Sequence, residues 1–165
     1  MDLVTEAIGK LADNLKITAL QNILKALKAG KITARIGILG SGHRTDGNVT
    51  NAQVGAAHEF GTTKLPVRSF LRMPITTRLQ KELESSGAFT PDALKKVVTT
   101  KSMIPWVEKM AIAAVAVVLD AFDTQGFGQW KPVTPETMAR KKVKQILTET
   151  QQLRNSVTYD IQGGT

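Results

Sequence analysis

The chain has 165 residues, enough for one domain with a sizeable core, and its 22 Lys and Arg against 14 Asp and Glu give a formal net charge of +8. A hydrophobic content of 42% and a charged content of 22% are those of a globular protein, which argues against wholesale disorder. The sequence contains no cysteine, which excludes a disulfide framework and thiolate chemistry.

Neither a leader nor a membrane span is predicted. The first residues, Met1 to Glu6, lack the basic region and the apolar segment of a signal peptide. The longest nearly uncharged apolar run, Met110 to Leu119, is far shorter than the roughly 20 residues that a membrane-spanning helix requires. We therefore expect no membrane partner.

The patterns in the first third of the chain predict a helix, then a strand, and then a loop. Apolar residues recur at helical spacing from Leu3 to Ala29, and Gly30 supplies a helix stop. From Lys31 to Leu39 the apolar residues alternate instead, which predicts a strand with one buried face. The composition of Gly40–Asn48 predicts a loop.

The middle of the chain predicts two helices joined by an arm. The first runs over Asn51–Phe60, with its first residue as the N-cap and Gly61 as its end. Pro66 disfavours helix at the residue before it, so Leu65–Arg72 is predicted to leave as an extended arm. The second helix is predicted over Pro74–Ser85, with its proline in the first turn.

A long helix follows a short one. Thr90-Pro91-Asp92 combines a cap, a first-turn proline and an acid that complements the helix dipole. The strongest helical pattern runs from Ile104 to Thr124, and it is apolar nearly all round between Ala111 and Leu119. It should be the buried central helix. Gly126-Phe127-Gly128 ends it.

The C-terminal part predicts two further helices and a strand. Thr134-Pro135-Glu136 begins a basic helix that ends near Lys144, and Thr148 is the predicted cap of a short helix through Asn155. Alternation from Val157 to Ile161 predicts a closing strand. The whole pattern predicts a single α+β domain over residues 1–165, in which a small antiparallel sheet packs against several helices, including one long central helix.

No grouping of residues is typical of a catalytic, cofactor or metal site. Gly37–Gly42 follows a strand, but His43 and Arg44 stand where a phosphate-binding loop needs Lys and Ser or Thr. His58 and Glu59 are adjacent, and two histidines without cysteine leave no zinc ligand set. No Ser, His and acid are grouped as a triad. We expect a chain that is not an enzyme and that holds no cofactor or metal.

The arm and one tryptophan are candidates for an interface. In an extended arm Arg68, Phe70 and Arg72 share one face, and arginine and aromatic residues dominate the binding energy of interfaces. Substitutions at Arg68 and Phe70 are then expected to affect assembly rather than folding. Alternatively, Phe70 and Leu71 anchor the arm on the core. Trp130 is either a core residue, the favoured interpretation, or a contact.

The positive charge is spread along the chain, with one dense group. Lys and Arg outnumber Asp and Glu by 7 to 5 in residues 1–60, by 9 to 6 in 61–130 and by 6 to 3 in 131–165. The dense group, Arg140, Lys141, Lys142 and Lys144, is the candidate DNA-facing surface. Three interpretations of this charge remain open. The chain is a DNA-binding protein that uses the helix around 134–144, or it turns a basic face towards a polyanion, or the charged surface is merely solvated.

Three blocks of sequence stand out. They are His58–Thr62 with Leu65–Arg72, then Trp130–Lys141, then Ile146–Val157. In this order they resemble the virion-morphogenesis and tail-completion family of tailed-phage proteins. The family's motifs are HEFGT with P-x-R-x-F-L-R for the first block, W-x-P-L-x-P-x-T for the second and L-x-x-T-G-x-L-R-x-S for the third. Gln151 stands where the family usually has Gly, and Ser69 where it often has Pro.

The resemblance implies an α+β subunit of a hexameric ring at the head–tail junction, which completes or terminates the tail and joins it to the head connector. It implies as partners further copies of the chain, other neck, connector or tail-tube proteins, and genomic DNA held without sequence preference in the channel. It places the chain in the virion, and in the host cytoplasm during assembly. The candidate subunit or partner interface comprises His58, Glu59, Phe60, Arg68, Phe70, Arg72, Trp130, Leu153 and Arg154.

Overall fold

The computed structural model describes residues 21, 25, 32–40, 48–100, 102–140, 146–147 and 151–163, with only the backbone at Val98, Met138 and Arg140. In chain order its elements are β1 (Ile32–Gly37), α1 (Asn51–Phe60), α2 (Arg72–Ser85), α3 (Pro91–Thr100), α4 (Ile104–Asp123), α5 (Pro135–Arg140), α6 (Gln152–Asn155) and β2 (Thr158–Gly163). This arrangement confirms the predicted α+β class, with a two-stranded antiparallel sheet and one long helix, α4.

The sheet joins the first and last described elements. Its register pairs Ile32 with Gly163, Thr33 with Gln162, Ala34 with Ile161, Arg35 with Asp160, Ile36 with Tyr159 and Gly37 with Thr158. The alternation predicted for β1 is confirmed, since Ile32 and Ala34 pack against the core around Trp106. On the opposite face the guanidinium of Arg35 pairs with the carboxylate of Asp160 at 2.6 Å.

α4 is the central helix that the sequence predicts. Its buried residues are Trp106, Val107, Ala111, Ala113, Ala114, Val117, Val118, Ala121 and Phe122. The prediction of burial nearly all round is wrong on one side of the helix, where Ile112 is 52% exposed and Ala116 is also exposed. The sheet, α2 and α3 pack against other sides of the helix and do not cover this one.

α1 begins with a reciprocal cap and packs closely against the segments before and after it. Its cap is Thr50, not Asn51 as predicted: Thr50 Oγ1 accepts a hydrogen bond from the Gln53 amide, and Gln53 Oε1 accepts one from the Thr50 amide. This reciprocal arrangement is a capping box. A Cβ at Gly55 would lie 2.5 Å from Ile38 Cδ1 and 3.3 Å from Phe70 Cζ, so the helix backbone lies directly on these side chains.

The start of α6 differs from the prediction. The helix begins at Gln152, and the predicted cap, Thr148, lies outside the described residues. Gln151 has a φ of 54° and a ψ of 1°, a left-handed conformation that costs a residue with a side chain about 1–2 kcal/mol and costs glycine nothing. The position where the family usually has Gly is therefore one whose backbone favours Gly.

Several predictions fall outside the described residues. They concern the N-terminal segment apart from Gln21 and Lys25, both of which are helical, the loop residues 41–47, and the basic residues Lys141, Lys142 and Lys144. For Arg140 the backbone lies in α5 and the side chain is not described. Within the described ranges, no helix is both long enough and apolar enough to cross a bilayer.

Candidate interaction surface

A buried carboxylate holds the start of α2. Glu59, in the last turn of α1, is only 5% exposed, and its oxygens accept hydrogen bonds from the backbone amides of Leu71 (3.0 Å) and Arg72 (3.1 Å). Leu71, the N-cap of α2, makes no side-chain cap bond of its own. A carboxylate at this point satisfies first-turn amides and complements the positive end of the helix dipole. Glu59 therefore caps α2 from a different helix.

Ser69 completes this cap. Its hydroxyl donates to Glu59 Oε1 at 2.7 Å and accepts from the amide of Met73 at 3.0 Å. The guanidinium of Arg72 lies 3.8 Å from the same carboxylate. The serine found where the family often has proline thus supplies a hydroxyl that links α1 to the first turn of α2.

Arg68 fastens the arm on both sides. Its amide donates to the carbonyl of His58 at 2.8 Å, and its Nε donates to the carbonyl of Lys131 at 3.2 Å. The side chain is buried, and this desolvation lowers the pKa of Arg68 from its ordinary value, although a guanidinium remains charged in proteins. The indole of Trp130 donates to the carbonyl of Ser69 at 3.3 Å. The arm is therefore bonded to α1 and to the segment after α4.

Phe70 is a core residue. It is 2% exposed, and its ring centroid lies 5.1 Å from that of Phe122, which in turn lies 5.8 Å from Trp130 in an edge-to-face arrangement. Aromatic pairs at such distances contribute beyond the area that they bury. The alternative in which Phe70 anchors the arm, and the favoured core position of Trp130, are both confirmed.

The predicted interface is therefore corrected for most of its members. Five of the nine candidate residues are buried within the chain: Glu59, Arg68, Phe70, Trp130 and Leu153. The chain does not stay extended through Arg72, since α2 begins there and the side chains before it turn inwards. In this conformation the side chains of these five residues are not accessible at the surface of the chain.

The other four candidates lie nearer the surface. His58 is half-buried, and Arg154 forms a bidentate ion pair with Asp123, with nitrogen–oxygen distances of 3.1 and 2.8 Å. Phe60 is 66% exposed, and the guanidinium of Arg72 lies over its ring at 5.5 Å from the centroid. Phe60 and Arg72 are the two candidates that present a free surface.

The loop between α1 and the arm is held by a close contact at Gly61 and by hydrogen bonds of Thr62. Gly61 has a φ of 75°, and a Cβ there would lie 2.8 Å from Val67 Cγ2. The Thr62 amide donates to the Leu65 carbonyl at 2.9 Å, and Thr62 Oγ1 accepts from the amides of Lys64 (3.2 Å) and Leu65 (3.0 Å). Despite this order, Leu65 is 37% exposed and Val67 is 53% exposed.

Phe60, Leu65 and Val67 form an exposed apolar patch, which the sequence prediction missed apart from Phe60. The available signal was the placement of two large apolar residues around a loop proline. The exposed charged residues of this block are basic: they are Lys64 and Arg72, and Arg72 lies over the ring of Phe60. The only carboxylate between residues 48 and 72 is the buried Glu59. An apolar centre with a charged rim is the usual composition of a protein-binding surface.

The rest of the described surface offers little chemistry. One hollow of about 170 Å³ lies between α3 and α4, with Val97 and Trp106 among its lining residues and Lys96 and Lys109 as its charged ones. Within the described residues, no group of three or more His, Asp or Glu is placed to hold a metal ion.

Comparison with known proteins gives no match: no family model fits the chain, and neither a curated protein nor a solved structure shows significant similarity to it.

The cap formed by Glu59 can be tested by unfolding. Glu59→Ala leaves two amides and a hydroxyl without their acceptor in a half-buried place, and we expect it to lower the free energy of unfolding by about 2–3 kcal/mol. Glu84→Ala is the matched control, because Glu84 is an exposed residue of α2 and should cost less than about 0.5 kcal/mol. Equal losses in urea titrations of the two variants would contradict the cap.

Proposed function

We propose that the chain is a structural subunit of a tailed-phage virion. It forms a closed ring at the head–tail junction that completes or terminates the tail and joins it to the head connector. Its partners are further copies of itself, which complete a hexameric ring. Neck, connector or tail-tube proteins and the DNA in the channel are its other partners. It occupies the virion, and the host cytoplasm while particles assemble.

One observation carries this proposal. The block that most resembles the phage family, residues 58–72, folds as a self-bonded unit whose buried groups fix an exposed patch of Phe60, Leu65 and Val67. Such order is not needed for a solvated loop, but it lowers the entropic cost of binding a partner. The left-handed Gln151, at the position where the family usually has Gly, gives independent support from the third block.

A basic DNA-binding protein is the alternative. Its main residues, Lys141, Lys142 and Lys144, lie outside the described part of the chain, so no observation favours it. A sequence-specific reader would bind one DNA sequence far more tightly than others, with an affinity that falls steeply with salt. A ring subunit should bind DNA weakly and without sequence preference.

A surface substitution separates assembly from folding. Val67→Asp places a charge in the centre of the patch, where Val67 is 53% exposed, so the fold should persist while subunit contact is lost. Phage that carry this variant should accumulate filled heads and separate tails. Val49→Asp is the matched control, since Val49 is 45% exposed and lies outside the patch, and it should give a normal yield. A normal yield from both variants would remove the patch from assembly.

A further inference from the structure

The hollow between α3 and α4 combines a largely apolar floor with two lysines. Val97 and Trp106 line it and are buried in the adjoining core. The indole nitrogen of Trp106 donates to the carbonyl of Ala88 at 2.7 Å, so the ring offers the hollow only its apolar surface. Lys96 on α3 and Lys109 on α4 are exposed, and they are the charged residues of the lining. An occupant would thus meet an apolar surface flanked by one cation from each helix.

Neither ammonium group has an anionic partner within the part of the chain that the structure describes. No ion pair or side-chain hydrogen bond joins Lys96 or Lys109 to another described residue. The nearest carboxylates along the two helices, Asp92 and Glu108, are not among the residues that line the hollow. Glu108 instead accepts a hydrogen bond from the hydroxyl of Tyr159 on β2 at 3.0 Å. Both cations are therefore available to an occupant.

The volume of the hollow selects the size of its occupant. The hollow holds about 170 Å³. Pockets that enclose whole cofactors or drug-sized ligands are larger, at roughly 300–1,000 Å³. A cavity of roughly 150 Å³ is enough for benzene, so this hollow is matched to one large apolar side chain. Single side chains that fill pockets supply much of the binding energy of protein interfaces. The dimensions thus favour a protein partner over a free small molecule.

The charges favour a different protein over a second copy of this chain. The exposed charged residues beside the apolar patch are Lys64 and Arg72. Inserting the patch of a second copy would bring these cations against Lys96 and Lys109, and like charges at an interface disfavour such a pairing. An apolar side chain with aspartate or glutamate beside it meets both the apolar floor and the two cations.

We propose that the hollow receives one large apolar side chain from an acidic segment of another virion protein. The carboxylates beside that side chain pair with Lys96 and Lys109, and the side chain itself lies against Trp106. The inference rests on the proposed function and gives the chemistry of a neck, connector or tail-tube partner. The hollow and the apolar patch share no residue, so the patch stays free for contacts within the ring.

A peptide probe tests the hollow on the purified full chain. The probe is the blocked peptide acetyl-Asp-Asp-Phe-Asp-Asp-amide, titrated at low salt and followed by the NMR signals of the two indole N–H groups. Trp106 lines the hollow and Trp130 does not, so only the signal of Trp106 should shift. Replacing the phenylalanine of the peptide with alanine should weaken binding about thirtyfold, the usual effect of removing an anchor from a pocket.

A charge reversal tests the role of the two lysines. Lys96→Glu/Lys109→Glu should weaken binding of the peptide about tenfold or more, because two attractive pairs become repulsive. Lys81→Glu/Lys95→Glu is the matched control, since it makes the same change of net charge with exposed lysines that do not line this hollow. Its affinity should stay close to that of the original chain. Equal effects of the two double variants, or equal binding of the phenylalanine and alanine peptides, would overturn the proposal.

Genetics tests the identity of the partner. Phage that carry Lys96→Glu/Lys109→Glu should accumulate unjoined heads and tails, and suppressors should replace aspartate or glutamate with lysine in another virion protein. Suppressors within this chain would show that a second copy is the occupant, and a normal yield would show that the hollow has none; either result overturns the proposal. A peptide that shifts Trp106, together with virions that lack a ring, refutes the proposed function and leaves the hollow. A ring in virions without any shift of Trp106 refutes the hollow and leaves the ring.

Discussion

Replacing Phe70 with alanine is expected to lower the free energy of unfolding by about 3–5 kcal/mol, the usual cost of a phenylalanine removed from a packed core. Phe70 is 2% exposed and lies against Phe122, and it also contacts the backbone of α1 at Gly55. Urea unfolding followed by circular dichroism gives the measurement.

Phe60→Ala supplies the matched control for this prediction. The same side chain is removed ten residues earlier in the same block, where it is 66% exposed and contacts Arg72. The loss there should stay near 0.5 kcal/mol, about the contribution of an exposed cation–π pair. If Phe70→Ala costs no more than Phe60→Ala, the core position of Phe70 is wrong and the arm returns as an interface candidate.

Val118→Asp is expected to prevent the chain from folding in soluble form. Val118 is fully buried in α4, within the cluster that also contains Phe70 and Trp130. A carboxylate there would lose its water without gaining a partner, at a cost of about 4 kcal/mol or more, which is a large part of a domain's stability. The measurement is the yield of soluble protein and its melting temperature.

Ala116→Asp is the control for Val118→Asp, because residue 116 lies on the exposed side of the same helix. A carboxylate there keeps its water, because residue 116 lines an open hollow between α2 and α4 whose charged residues are Arg78, Lys81, Glu82 and Asp120. Its melting temperature should stay close to that of the original chain. An unchanged melting temperature for Val118→Asp as well would show that α4 does not form the core.

Local patterns predict the elements well. The alternation in β1, the cap and proline at the start of α3, and the apolar spacing of α4 all depend on residues a few positions apart. The cap of α1 could also have been found, because Thr50 and Gln53 have the spacing of a capping box. Each of these features is encoded where it occurs.

The fate of the arm could not be predicted in the same way. Phe70 is buried by Phe122 and Trp130, which follow it by more than 50 residues, and Arg68 is held by the carbonyl of Lys131. Alternation in an extended segment predicts which side chains share a face, but the identity of the covering element decides whether that face is buried. The same limit explains Ile112, whose exposure depends on where the sheet and α2 pack.

The role of Glu59 illustrates how a motif can be structural. A histidine, a glutamate, arginines and a serine within fifteen residues have the composition of a functional site. The structure uses the glutamate and the serine to begin α2, and one arginine to fasten the arm to the segment after α4. Within residues 58–72 this bonded framework leaves the apolar patch and the basic side chains of Lys64 and Arg72 exposed.

Electron microscopy of virions that carry a labelled copy of the chain tests the central claim most directly. If the chain forms the proposed ring, a single ring of labelled copies should lie between the head and the tail tube, and particles without the chain should separate into filled heads and free tails. Label on isolated single copies, or its absence from purified infectious particles, would contradict the assignment of the chain to a ring at the head–tail junction.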